Sequence, residues 1–203
     1  MKFRTTKERL FSALNETNKI IPLRTTLPVL SCVLIETKKN AVILTATDLE
    51  QTVVAKIEAE VTTEGAVAIP GNRFLEIVSA LPLGPLEISS TEEKEIEINS
   101  PKGVYKISGK EPTEYPETPQ LNQEQKIKLK GKELLDIINN TLYAVSKDDL
   151  KPALCGVYLS LDKTTIMAVA TDGHRLVKYK KEIKENNPPG AIIIPGKFLT
   201  ILK

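Results

Sequence analysis

The chain has one histidine, His174, set in Asp172-Gly173-His174-Arg175, where a neighbouring carboxylate could hold it as a general base. Such chemistry needs a nucleophile or a complementary acid. No serine or cysteine stands in a recognised nucleophile motif, and no glycine-rich phosphate loop is present. A metal site would need further ligands, yet there is no second histidine. The two cysteines, Cys32 and Cys155, lie singly in apolar strand-like runs and not in metal-ligand spacing. Both are read as buried thiols. These residues point away from catalysis, and neither a metal nor a cofactor is expected. On spacing alone, His174 fits a structural role at a turn entering a strand.

The elements that carry these residues belong to a globular chain. Of its 203 residues 41% are hydrophobic and 27% charged, which excludes a disordered segment. No run approaches the ~18 apolar residues of a membrane span. Met1-Lys2-Phe3-Arg4-Thr5-Thr6 runs directly into alternating and then helical pattern, without the apolar stretch and small-residue cleavage site of a signal peptide, so a cytoplasmic location is expected. Net charge is only +2, but its distribution is uneven. Residues 1–120 carry 14 basic and 17 acidic side chains, whereas residues 121–203 carry 14 and 9, a hint of an anionic partner on the second part.

Internal repetition organises the chain. Leu27-Pro28-Val29-Leu30-Ser31-Cys32-Val33 returns as Lys151-Pro152-Ala153-Leu154-Cys155-Gly156-Val157, and Ala46-Thr47-Asp48 returns as Ala170-Thr171-Asp172, both at a spacing of 124 positions. Ile69-Pro70-Gly71-Asn72-Arg73-Phe74-Leu75 returns as Ile194-Pro195-Gly196-Lys197-Phe198-Leu199, one residue shorter.

Within the first repeat, residues 1–6 read as a strand and 7 to about 21 as a helix. Strands at about 28–37, 41–46 and 51–61 follow. The same βαβββ rhythm recurs: Gly65 to Ile69 is strand-like, Pro70-Gly71-Asn72 begins a helix, and Leu86 to Ser89, Glu95 to Asn99 and Val104 to Ser108 alternate as half-buried strands do. The proline-rich stretch from Glu111 to Pro119 breaks all periodicity and reads as a linker. After it, 125–130 alternates like the opening strand, and 132–145 places Leu134, Leu135, Ile138, Leu142 and Val145 at helical spacing. The second repeat stops at Lys203, matching position 79 of the first, so its last three strands are expected to be missing.

Met1-Lys2-Phe3, Thr26-Leu27-Pro28-Val29-Leu30, Ala46-Thr47-Asp48-Leu49-Glu50 and above all Ala170-Thr171-Asp172-Gly173-His174-Arg175-Leu176 resemble the bacterial DNA polymerase sliding clamp, over the whole chain. The resemblance implies an α+β class and the DNA clamp fold, with repeated βαβββ units, antiparallel sheets and helices on one face. It implies clamp domain I at 1–120 and a truncated clamp domain II at 121–203, the third domain being absent. In that family two chains join head to tail into a homodimer ring, with helices lining the hole.

The implied function is to encircle duplex DNA and tether the replicative polymerase, as an accessory processivity subunit with no catalytic site of its own. Implied partners are double-stranded DNA, held sequence-independently by its phosphates, the replicative polymerase catalytic subunit, the clamp loader, and other polymerases and repair proteins that dock through peptide motifs; no membrane is involved. The alternative is a stand-alone clamp-fold interaction module that binds peptide motifs without encircling DNA.

By residue, the resemblance assigns Leu154, Thr171, Gly173, His174, Arg175 and Leu176 to a partner-peptide pocket. There His174 would be a rim residue, Leu154 and Leu176 would receive an apolar side chain, and Arg175 would offer a rigid donor fork. Arg24, Arg73 and Lys197 match DNA-facing positions; solvated surface charge is the competing reading. Lys151 stands where the family often has arginine. Asp148, Pro152 and Ala153 replace the polar and aromatic residues of its second DNA-touching loop, which removes the stacking platform for single strands. Glu76, Glu133 and Asp136 are expected to dilute the inner positive stripe.

Overall fold

Strand alternation and glycine-proline punctuation fold the chain into two units, Met1–Pro119 and Gln120–Lys203, in a computed structural model that describes residues 1–22, 24–91, 94–117, 127–148, 150–184 and 187–203. No helix among these residues is long and apolar enough to cross a membrane.

Unit 1 runs β1 (Lys2–Thr6), α1 (Lys7–Asn18), β2 (Cys32–Lys38), β3 (Ala41–Thr47), β4 (Thr52–Glu58), β5 (Glu60–Thr63), β6 (Gly65–Pro70), α2 (Gly71–Ala80), β7 (Pro85–Ser90), β8 (Glu95–Ser100) and β9 (Gly103–Ser108). Its two antiparallel sheets have the orders β4-β3-β2-β6 and β5-β1-β7-β8-β9. Each half therefore lends its first strand to the other half's sheet: β6 pairs with β2, Cys32 opposite Pro70, while β1 pairs with β7, Lys2 opposite Ser89. The inward positions Phe3, Ile35, Leu44, Ile69, Ile88, Ile96 and Ile98 meet Leu10 and Leu14 of α1 and Phe74 of α2 in the core, all of them fully buried.

Helix α2 packs closely on the end of α1, and Gly71 permits it. A Cβ at Gly71 would overlap the Asn18 and Ile21 side chains and come within 2.9 Å of Val33. The Asn18 amide Nδ2 donates to the Gly71 carbonyl at 3.1 Å.

Unit 2 runs α3 (Gly131–Thr141), β10 (Gly156–Asp162), β11 (Thr165–Thr171), β12 (Leu176–Glu182), β13 (Gly190–Pro195) and α4 (Gly196–Leu202), with sheet order β12-β11-β10-β13. It follows the first sheet strand for strand and register for register. Thr47 pairs with Thr52 and Thr171 with Leu176; Cys32 pairs with Pro70 and Gly156 with Pro195. Ile137 and Ile138 of α3 and Leu199 of α4 bury against Val157, Leu159, Ile166 and Ala168.

Several sequence expectations are corrected. The run 28–37 opens with a 3-10 turn, Pro28–Ser31, because proline gives β2 no donor there. The run 51–61 is two strands: the chain leaves β4 at Glu58 and crosses to pair β5 with β1, so Phe3 faces Val61. The first helix stops at Asn18, although Ile20 and Ile21 stay buried beyond it. Residues 127–130 form no strand, and 125–126 lie outside the described residues; the Asn187 side chain instead grips Lys128, accepting from its N–H at 2.7 Å and donating to its carbonyl at 3.0 Å. Helix α3 ends at Thr141 and continues only as a 3-10 turn to Ala144, and Leu135, placed at helical spacing with the core positions, is 41% exposed.

Cys32 is buried, which pushes its thiol pKa up. Cys155 is only partly buried, and its Sγ lies 3.2 Å from the Asp148 carbonyl. Tyr115, inside the proline-rich stretch read as linker, is core. It packs on Val29, Cys32 and Ala68, its hydroxyl lies 3.1 Å from the Thr45 carbonyl and 3.3 Å from that of Cys32, and it accepts from the Thr47 N–H at 3.2 Å.

Candidate functional site

The residues Thr171 to Leu176 form the turn from β11 to β12, and its shape is dictated by two short side chains. Thr171 Oγ1 donates to the Arg175 carbonyl at 2.6 Å and accepts from the Gly173 N–H at 3.1 Å. Asp172 Oδ1 accepts from the His174 and Arg175 N–H groups, both at 3.0 Å. Gly173 takes a φ of 90°, a region that glycine enters without a Cβ penalty. The backbone N–H groups of Arg175 and His174 hold the Asp172 carboxyl down at about 2, helped by the Arg175 side chain. Asp172 thus stays ionised throughout the physiological range and keeps the turn folded.

Of the predicted pocket residues, the structure brings Thr171, Gly173, His174, Arg175 and Leu176 together in this one turn. Thr171 and Gly173 shape it, while His174, Arg175 and Leu176 are exposed, Leu176 by 67%. Arg175 does not keep its whole fork for a partner, since its Nε donates to Asp172 Oδ2 at 2.9 Å. His174 makes its described hydrogen bond through the backbone. Leu154 is half-buried in the 3-10 turn Pro152–Leu154 that leads into β10. Because β10 and β11 are antiparallel neighbours, that turn and the 171–176 turn share one end of the sheet. What the sequence reading misses is the part Asp172 plays in folding the turn. Its signal was the repeated Thr-Asp pair, since Asp48 Oδ1 makes the same bonds to the Glu50 and Gln51 N–H groups, at 3.1 and 2.8 Å.

The candidate DNA contacts stand on separate elements. Arg73 and Lys197 are exposed in the first turns of α2 and α4, the two helices that begin at matching Ile-Pro-Gly sequences. Arg24 is exposed in the segment after α1 and lines a shallow groove of about 510 Å³. The expected dilution by acidic residues is corrected at two of its three positions. Glu133 is buried and turned inward to cap α3, accepting from the Lys130 N–H at 3.1 Å. Asp136 is tied to Lys181 at 2.8 Å, and that hydrogen bond lowers the carboxyl pKa and raises that of the lysine. Glu76 remains exposed.

Comparison with known proteins covers both units. Residues 1–119 match the family model of the DNA polymerase III beta subunit, N-terminal domain, and residues 128–203 that of its central domain. The beta sliding clamp of Staphylococcus epidermidis is 34% identical over 210 residues, and that of Staphylococcus aureus 33%; each alignment takes in 100% of this chain and 56% of the relative. The chain thus spans about half the length of the curated relatives it matches. Among solved structures, a putative DNA polymerase III beta subunit from Eubacterium rectale superimposes with a TM-score of 0.95 at 26% identity, over 100% of this chain and 55% of that one. The DNA polymerase sliding clamp of Bacillus subtilis gives 0.94 at 28%, over 100% and 56%.

Proposed function

The chain belongs to the DNA polymerase III beta subunit family, with its α+β clamp fold, and from that membership we propose that it serves as a DNA sliding clamp in the cytoplasm. In this reading residues 1–120 act as clamp domain I and 121–203 as part of clamp domain II, within a homodimer ring that encircles duplex DNA. It tethers the replicative polymerase catalytic subunit and, through peptide motifs, other polymerases and repair proteins, after a clamp loader has placed it. Its role is accessory, without a catalytic site of its own. The observation that carries the reading is the match of both units, in order, to the first two domains of one family.

A clamp that slides must hold DNA through phosphate charge and water, because base contacts would create stopping points. Arg24, Arg73 and Lys197 are the proposed contacts, all exposed and cationic. The turn at Thr171, Gly173, His174, Arg175 and Leu176, with Leu154, is the proposed peptide pocket. Its rigid backbone supports this, since a pre-ordered surface loses less entropy on binding. In the intact protein, Arg24→Ala combined with Arg73→Ala should lower retention on circular duplex and processive synthesis, with a steep salt dependence and little sequence dependence. Strong sequence preference, or unchanged retention in the double variant, would argue against these contacts.

A further inference from the structure

The segment 109–116, which crosses the first sheet of unit 1 before the chain leaves for unit 2, is held unevenly along its length. At its start the Gly109 N–H donates to the Lys94 carbonyl at 2.9 Å, and Lys110 exchanges two hydrogen bonds with Ala68 on β6, at 2.7 and 3.2 Å. A Cβ at Gly109 would lie 2.8 Å from the Lys94 carbonyl oxygen, so this end is packed down to backbone contact. Beyond Lys110 the hold thins. Glu111, Thr113 and Glu114 are exposed, and Pro112 and Pro116 have no N–H with which to extend the ladder along β6. The Lys94–Glu111 ion pair, at 3.3 Å, lies partly in solvent and adds little. Tyr115, 6% exposed, is the anchor.

What lies under that anchor is separate from the main core. Register puts Leu34, Thr45 and Ala68 in one cross-strand row, on the face of the sheet opposite to Ile35, Leu44 and Val67. Tyr115 therefore packs with Val29, Cys32, Ala68 and Leu34 in a small cluster of its own, and lifting it leaves the helix-side core covered. Its hydroxyl also finishes the end of a ladder. The last β2–β3 pair there is Leu34 opposite Thr45, and beyond it the hydroxyl reaches the Thr45 and Cys32 carbonyls and accepts from the Thr47 N–H. Thr47 in turn orders the 47–52 turn, since its Oγ1 donates to the Gln51 carbonyl and accepts from the Leu49 N–H. Asp48 and Leu49 of that turn line the groove beside Arg24. We propose that residues 111–116 are a latch that opens about the Lys110 bridge while the rest of unit 1 stays folded, and that its closure sets the order of the 47–52 turn beside Arg24. A pull on the chain beyond Pro116 is then felt at that turn, whether or not Arg24 touches DNA.

Cys32, fully buried beneath Tyr115, is a native reporter of the opening. In the intact chain carrying Cys155→Ser it is the sole thiol, and its alkylation by iodoacetamide can be followed in rising urea beside amide exchange. The expected result is Cys32 labelling well below the unfolding midpoint at a rate that hardly changes with urea, because a latch exposes little surface, while exchange at Phe3, Leu44 and Ile88 rises with the full slope of global unfolding. Tyr115→Phe, which keeps the ring and removes the hydroxyl, should speed Cys32 labelling roughly fivefold and amide exchange at Thr47 and Leu49 by the same factor. Cys32 labelling that shares the urea slope of Phe3 would show that the segment opens only with the whole unit and would overturn the latch. Thr47 and Leu49 exchange left unchanged by Tyr115→Phe would overturn its coupling to the turn.

Discussion

The turns Thr47 to Thr52 and Thr171 to Leu176 are built alike but present different surfaces. In each, the threonine hydroxyl donates to a carbonyl four residues on, at 2.8 Å to Gln51 and 2.6 Å to Arg175, and the aspartate accepts two N–H groups. Upon this common frame one turn displays Leu49 and Glu50, the other Gly173, His174, Arg175 and Leu176. Their support differs as well. The Tyr115 hydroxyl braces the first turn at the Thr47 N–H, and β6 is closed at its edge by mutual hydrogen bonds between Ala68 and Lys110. Val67 and Ala68 are therefore fully buried, whereas their counterparts on β13, Ile192 and Ile193, are 53% and 44% exposed. Thr and Asp encode the shape of the turn, and the residues between them and the strand behind them decide what the turn is for.

The largest effect expected is at Tyr115. Tyr115→Ala should destabilise unit 1 by about 3–5 kcal/mol through the cavity and the lost hydrogen bonds, and Tyr115→Phe by about 1 kcal/mol. Hydrogen exchange resolved by unit should show unit 2 unchanged, and equal losses in both units would break the contrast. Burial pushes the Tyr115 phenol up to about 12. Its contribution is thus fully present below the ordinary phenol value near 10 and is lost as pH rises toward 12, so alkaline melting should begin in unit 1's β2–β3 region.

Next come the glycines that open α2 and α4. A Cβ at Gly71 meets Asn18, Ile21 and Val33, while at Gly196 its nearest neighbours are Val145 Cγ1 at 3.0 Å and the Cys155 carbonyl at 3.2 Å. Gly71→Ala should cost about 1–3 kcal/mol of unit 1 stability, and Gly196→Ala distinctly less in unit 2. A reversed order in denaturant melts would show that the two helix starts are not packed as described.

The smallest effect sharpens the comparison of the turns themselves. Leu49→Gly should stabilise unit 1, and Gly173→Leu destabilise unit 2, by equal amounts of about 1 kcal/mol, since both positions are left-handed. Changes of the same sign would mean that the two frames are not equivalent.

Much of this was legible from spacing. Blocks at a constant separation gave the repeated strand order, and Ile-Pro-Gly marked both helix starts. What escaped was non-local. Pro112, Pro116 and Pro119 mark a linker by every local rule, yet Tyr115 between the first two finds carbonyls of β2 and β3 that only the finished sheet brings together. The break between β4 and β5 is invisible in an apolar alternating run, because its cause is the partner strand β1. Charge patterning alone places Glu133 on the surface, whereas its position three residues after Lys130, at a helix start, carries the capping signal. At the 171–176 turn, the residue types were legible but not the division of labour, in which Thr171 and Asp172 hold the backbone that carries His174 and Arg175.

The exchange of first strands between the halves of unit 1 also sets a clock. Lys2 on β1 finds Ser89 on β7 only after nearly the whole unit has left the ribosome. At typical synthesis rates that interval is on the order of 10 s, far longer than the formation of a helix or hairpin. β5 can pair with one edge of β1 earlier, but the edge that meets β7 must wait through the whole interval, so that edge is where a nascent-chain chaperone would have most to protect, and where refolding from denaturant should meet its slowest non-proline step.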